Sequence, residues 1–381
     1  MQAVFSRLSV IAVVAIVLLT SAFARAQASL PPLAQSTLGM RVGQRLAYLQ
    51  ASALVGATGM NLVPDANGNW VDVRTGKPYA EGTGTGGAGI STFDVYAFDS
   101  QAILLRNDYL INTAINRITW TNSGVIVGSP TSAIDILWAP PANFAKQPNV
   151  NVKDLRVTRL AYTLDGRKFS AIRIQANVGN SGWVQSTYDL QTGLLLIQSR
   201  AVQMPTGGTA IAIMRLVSGR PVSLPGMGVS FPASNASLTS YTWKASGAST
   251  VSSAGTIPTN ATVAWTNLKW TPRILSLAVM INGKASGSLQ YVAGTVGSPW
   301  MSPSYLASLK ANTIIDVEPQ LQYRMIAGAP TNGLIVIYVQ NSTGYTAYQY
   351  QIATGHLVAI GTVSQQGLLT TQGSLVLTGR K

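Results

Sequence analysis

The 381-residue chain has no cysteine, one histidine, and 12 acidic residues against 26 basic ones. The missing cysteine excludes a disulfide framework, thiolate metal sites, a cysteine nucleophile and lipidation of an N-terminal cysteine. The lone histidine, His356, follows the turn residue Gly355 and cannot supply a usual zinc set. A Ser-His-Asp triad would have to use it, and no G-x-S-x-G elbow is present. Acids are too few to offer many catalytic pairs. The close ones are Asp94 with Asp99 and Asp316 with Glu318, the kind of pairing that glycoside hydrolysis needs. Asp94 and Asp99, five apart, fall on opposite faces of a single strand. The run from Gly82 to Gly87 spells G-x-G-x-x-G, but no strand precedes it and no helix follows, so it reads as a loop. No catalytic residue, metal ligand or cofactor is expected from these patterns.

Long apolar runs are scarce as well. One extends from Leu8 to Phe23, after Arg7 and before Ala22, Ala24, Ala26 and Ala28 spaced two apart. This is the order of a signal peptide, and its apolar stretch is shorter than the roughly 20 residues that span a bilayer. Cleavage after Ala26 or Ala28 is expected, with the mature chain secreted or periplasmic, free or held at the cell surface by protein contacts. No later segment is apolar enough for a transmembrane helix.

Removing residues 1–26 deletes Arg7 and Arg25 and no acid, leaving 24 basic residues against 12 acidic ones. No acid lies between Asp189 and Asp316 or after Glu318. The excess admits an anionic partner, but the basic residues are scattered singly and form no nucleic-acid motif. Few carboxylates and one histidine also mean little charge gained on acidification, which points to an acidic extracellular setting; a steep fall in stability between pH 6 and pH 3 would count against that setting.

What is present is a repeat. Residues 138–203 align with 300–365 at an offset of 162: Trp138 with Trp300, Pro141 with Pro303, Asp154 with Asp316, Gly182 with Gly344, Tyr188 with Tyr350, and Thr192-Gly193 with Thr354-Gly355. A weaker third copy is read where Arg45-Leu46-Ala47-Tyr48 echoes Arg159-Leu160-Ala161-Tyr162, and residues 71–76 echo 188–193. Thr119-Trp120 and Thr242-Trp243 each precede a Ser-Gly by three residues, and the second stands farther from the next repeat. The expected organisation is a signal peptide at 1–26, a divergent first β unit at 27–137, a second at 138–299 with an insertion near 248–290, and a third at 300–381.

Within the repeat the apolar period is two: Ile172, Ile174, Ala176 and Val178 alternate with polar residues, as in a half-buried strand. Asp165-Gly166, Asn67-Gly68, Asn282-Gly283 and Asn332-Gly333 are hairpin-turn pairs. The fold class expected is all-β, with repeated antiparallel β-meander modules packed as large twisted sheets, sandwiches or half-barrels. Only short helical turns after Trp138 and Trp300 and an amphipathic helix within 33–54 interrupt it.

The repeat also selects candidate binding residues. Trp183 and Tyr345 share a position one residue past a loop glycine, and Tyr188 and Tyr350 follow along the same strand. Exposed rings near hairpin tips suit sugar stacking or a protein contact, while shared packing is the competing explanation for matched aromatics. Taken together, the sequence describes an exported, non-enzymatic β scaffold for an extracellular protein or polysaccharide partner, or a component of a surface assembly. A carbohydrate-binding or carbohydrate-active protein is the alternative. An outer-membrane barrel is disfavoured because clean ten-residue alternation is scarce.

Overall fold

The computed structural model describes residues 38–55, 62–64, 70–72, 85–112, 117–178, 182–203, 209–247, 249–251, 255–257, 260–366 and 369–381. The segment expected to be a signal peptide and the expected Asn67-Gly68 turn lie outside them. The first unit runs through β1 (Gln44–Val55), a small hairpin of β2 (Leu62–Pro64) and β3 (Trp70–Asp72), β4 (Thr85–Phe98), β5 (Ala102–Asn112) and β6 (Arg117–Gly128). It continues with helix α1 (Pro141–Ala145), β7 (Val150–Val152), β8 (Leu155–Leu164), β9 (Arg167–Val178), β10 (Gly182–Asp189), β11 (Leu195–Gln203) and β12 (Thr209–Pro221).

The second unit repeats this succession. It comprises β13 (Ser240–Gly247), the hairpin β14 (Ser249–Val251) and β15 (Gly255–Ile257), β16 (Thr262–Trp270), β17 (Ile274–Ile281) and β18 (Lys284–Val292). Then come helix α2 (Pro303–Ser308), β19 (Ile314–Glu318), β20 (Tyr323–Ala327), β21 (Leu334–Asn341), β22 (Gly344–Gln351), β23 (Leu357–Gln366) and β24 (Leu369–Arg380).

Each unit makes one ten-stranded antiparallel sheet. The orders are β6-β5-β4-β1-β12-β11-β10-β9-β8-β7 and β18-β17-β16-β13-β24-β23-β22-β21-β20-β19, so each strand of one has its counterpart twelve strands on. The cores repeat too. Tyr48 and Phe93 meet edge to face at 5.7 Å in the first unit, and Trp243 and Trp265 occupy the same register positions at 4.7 Å in the second. Period-two burial is plain in β21, where Ile335, Ile337 and Val339 are buried and their neighbours are not. The turn pairs have the positive φ values that favour Asx-Gly: 49° and 77° at Asp165-Gly166, 49° and 79° at Asn282-Gly283, and 51° and 74° at Asn332-Gly333.

The structure redraws the repeat in four places. Trp138 and Trp300 lie midway along each unit, between β6 and β7 and between β18 and β19. Residues read as an insertion form β14 to β18, the counterparts of β2 to β6. Arg45 to Tyr48 sit in central strand β1, whereas Arg159 to Tyr162 lie in β8, near the sheet edge, so four matching letters do not make a third module. The offset of 162 holds for β10 and β22 but becomes 163 for β9 and β21, because the connection between Val178 and Gly182 is one residue longer than that between Asn341 and Gly344. Two smaller expectations also change. Residues 44–54, read as part of a helix, are strand because β1 pairs on both sides, and Thr85 to Gly87, read as loop, open β4.

The units pack on each other. Ala47, Leu49, Ile90, Tyr109 and Val217 of the first meet Leu321, Tyr323 and Val339 of the second in one apolar cluster. Tyr96, Ala97 and Ile103 meet Ile274 and Val292 in another. Between the described residues no helix is long and apolar enough to cross a membrane.

Candidate functional site

The four repeat-selected aromatics divide into three structural roles. Tyr350 is fully buried; its hydroxyl accepts from the Gly297 N–H at 2.7 Å and donates to the Ser298 carbonyl at 3.1 Å. Burial raises its pKa well above the usual phenol range. Tyr188 is half-buried, donates to the Ile136 carbonyl at 3.1 Å and packs on Phe144 of α1 at 5.2 Å. These two tyrosines pin the segment before each repeat tryptophan. The tryptophans do the reciprocal job: Trp138 Nε1 donates to the Thr192 carbonyl at 2.8 Å and Trp300 Nε1 to the Thr354 carbonyl at 3.1 Å. The Thr-Gly turn is glycine for the same reason, since a Cβ at Gly193 or Gly355 would run into a backbone carbonyl and the indole.

Trp183 and Tyr345 share a register position but not an environment. Trp183 is half-buried and, like Ile213, packs against the buried pair Ala201 and Ile211. Tyr345 is 37% exposed and meets Tyr338 edge to face at 5.9 Å. It stands over an open groove of about 580 Å³ on the second sheet.

The groove follows from the strand register. Ala347, Gly361, Ser374 and Ser246 are successive partners across β22, β23, β24 and β13, and form a transverse row of small side chains. Tyr345, Val363 and Gln372 make the row on one side, Gln349 and Ala359 the row on the other, and Tyr338, opposite Ala347, closes one end. A Cβ built at Gly361 meets nothing closer than the Ala347 Cβ at 3.9 Å. The trench is thus a direct product of small residues on the floor between larger ones. The sequence offered one signal for it that the repeat comparison did not use: Gly361 inside a strand, which marks close approach or empty space.

A second constellation lies at the seam between units. Arg45 Nε and Nη2 reach Asp94 at 2.6 and 2.9 Å, Nη2 reaches Asp316 at 2.8 Å, and Nη1 reaches Glu318 at 2.8 Å. Arg220 also pairs with Glu318. All four of the Arg45 group are buried. Burial pushes the Asp94 carboxyl up, against the pull of Arg45; burial also disfavours charge on Arg45, which Asp94 and Asp316 overcome. With the three carboxylates converging on one guanidinium in a closed seam, the group is a joint between units and has no open face for a substrate. Asp99, the other acid considered for catalysis, pairs with Arg273 at the surface, at 2.6 and 2.7 Å. Among the described residues no group of three or more His, Cys, Asp or Glu side chains is arranged to hold a metal ion.

His356 is half-buried against Trp300, with a backbone bridge between them. Burial, aided by Arg380, lowers its pKa to about 4.

No family model and no curated protein matches this chain. Among solved structures, a protein assigned as AttH from Nitrosomonas europaea aligns at 9% identity over 92% of this chain and 99% of its own, with a TM-score of 0.15. A Transferrin Binding Protein B mutant from Haemophilus parasuis aligns at 10% identity over 89% and 78%, with a TM-score of 0.14. Likeness at that level carries no argument about this chain.

Proposed function

We propose that this chain is an exported, non-enzymatic binding scaffold whose contact surface is the trench on the second sheet. The observation that carries the reading is the divergence of one register position: Tyr345 stands exposed over a groove floored by Gly361, while Trp183 is half-buried against Ala201 and Ile211. Two sheets joined through a buried ionic seam and apolar clusters make a rigid support, and a preformed groove binds without the cost of ordering loops. The signal-like N-terminus supports a role outside the cytoplasm, with an extracellular polysaccharide or protein as the partner.

The test is retention on the isolated cell envelope of the producing organism. The wild-type chain should be retained, and Gly361→Leu, which fills the floor, should be released while its far-ultraviolet spectrum stays that of the wild type. Equal retention of both proteins would remove the trench from the reading.

A further inference from the structure

We infer that the trench takes an uncharged oligosaccharide laid across the strands. This rests on the trench being the binding surface, and adds the chemistry of what fills it. Among the described residues its lining contains no Asp, Glu, Lys, Arg or His, although the chain carries more than twice as many basic as acidic residues. The nearest basic position in register, Lys244 beside Val376, lies outside the lining. A ligand that depended on charge would find its partners elsewhere on this surface.

Peptide-like recognition is also disfavoured. The floor strands β22, β23 and β24 each pair on both sides, and β13 pairs with β24 along the trench and with β16 as far as Lys244, so the floor backbone is largely taken up by the ladder and little edge is offered to an added strand. Recognition falls to side chains. These are the exposed Tyr345 ring, the carboxamides of Gln349 and Gln372, and the hydroxyls of Ser246 and Ser374. Ser246 and Ser374 already share a hydrogen bond at 2.8 Å, which leaves further acceptor capacity on both. An apolar ring face beside neutral donors and acceptors matches a sugar ring, with C–H groups on its face and hydroxyls around its edge.

The dimensions fit a chain of a few sugar units. From β21 to β13 the trench crosses four inter-strand steps, or about 19 Å at about 4.8 Å each. Its side rows stand two residues from the floor along each strand, about 7 Å away.

The experiment titrates the full-length mature protein, by calorimetry, with the hexasaccharides of maltose, cellulose, xylan and chitin, and with a heparin hexasaccharide as the anionic probe. At least one neutral hexasaccharide should bind, with affinity changed little by salt. Tyr345→Ala should weaken it about tenfold or more, Tyr345→Phe should keep it within about threefold because the ring is retained, and Gly361→Leu should abolish it. Binding of the heparin probe alone, lost on raising salt, overturns the inference. If no neutral probe binds and none displaces the protein from the envelope, while Gly361→Leu still releases it, the sugar assignment fails and the trench stands as a site for another partner. Retention unaffected by Gly361→Leu removes both.

Discussion

The row Gln185, Ser199, Ile213 and Ala51 in the first sheet and the row Ala347, Gly361, Ser374 and Ser246 in the second hold the same register. In the first, Gln185 and Ser199 are buried and Trp183 lies on its neighbours; in the second the floor is open. A comparable divergence separates the central strands. Arg45, Ala47, Leu49 and Asp94 of the first unit are buried at the seam, whereas their register counterparts Ser240, Thr242, Lys244 and Thr266 are partly or fully exposed. Duplication therefore fixed the strand order and the core, and a few outward side chains decided which sheet docks and which remains open.

The largest expected effect tests the seam. Arg45→Met leaves buried Asp94 and Asp316 without their guanidinium and Glu318 with Arg220 alone, and should cost about 3–5 kcal/mol, read from urea unfolding. Ser240→Met, at the matching position, should stay within about 0.5 kcal/mol. A similar loss at both sites would mean that the seam is not what distinguishes the two faces.

Next come the conserved halves of the comparison. Gly193→Ala and Gly355→Ala each force a side chain toward the same carbonyl and indole at positive φ, and each should lose about 2–3 kcal/mol. If only one were costly, the turns would not be equivalent. The floor rows should respond in opposite ways: Ser199→Leu overpacks a buried position and should cost about 1–3 kcal/mol, while Gly361→Leu should be near neutral, within about 0.5 kcal/mol, in thermal unfolding.

The smallest effect concerns acid. The pKa of His356 is about 4 in the folded chain and near 6.5 when unfolded, so the unfolded state binds the proton more readily. Its contribution to stability is present above about pH 6.5 and is lost as pH falls toward 4. Partial exposure limits the loss to about 1–2 kcal/mol. His356→Leu copies Leu194, which bridges to Trp138 as His356 does to Trp300, and should flatten stability over that range. A wild-type curve that is already flat would contradict burial of the imidazole.

Much of the fold was legible because its signals are local. Alternation in β9 and β21 and the Asx-Gly turns each act within a few residues, and the Trp138 and Trp300 correspondence survives because the indole, the tyrosine and the Thr-Gly turn constrain one another. The counterpart of β1 was hidden because its core pair changed from Tyr48 and Phe93 to Trp243 and Trp265, which preserves packing but not letters. That loss made β14 to β18 look inserted. The seam was illegible since it gathers residues 45, 94, 316 and 318 from three strands, β1, β4 and β19, far apart in the chain. Repeat matching found Tyr345 but could not separate it from Trp183, because their difference lies in cross-strand neighbours.

Each sheet is completed by joining β1 to β12, or β13 to β24, so its middle ladder links the first strand of a unit to its last. The central pairing, such as Leu46 opposite Gly219, must wait for nearly the whole unit to be synthesised. Contacts so distant along the chain make for slow maturation, and until then β1 and its neighbours have open edges that invite mispairing. The last strand of each unit therefore does double duty, closing the sheet and ending the interval in which its first strand lies unprotected.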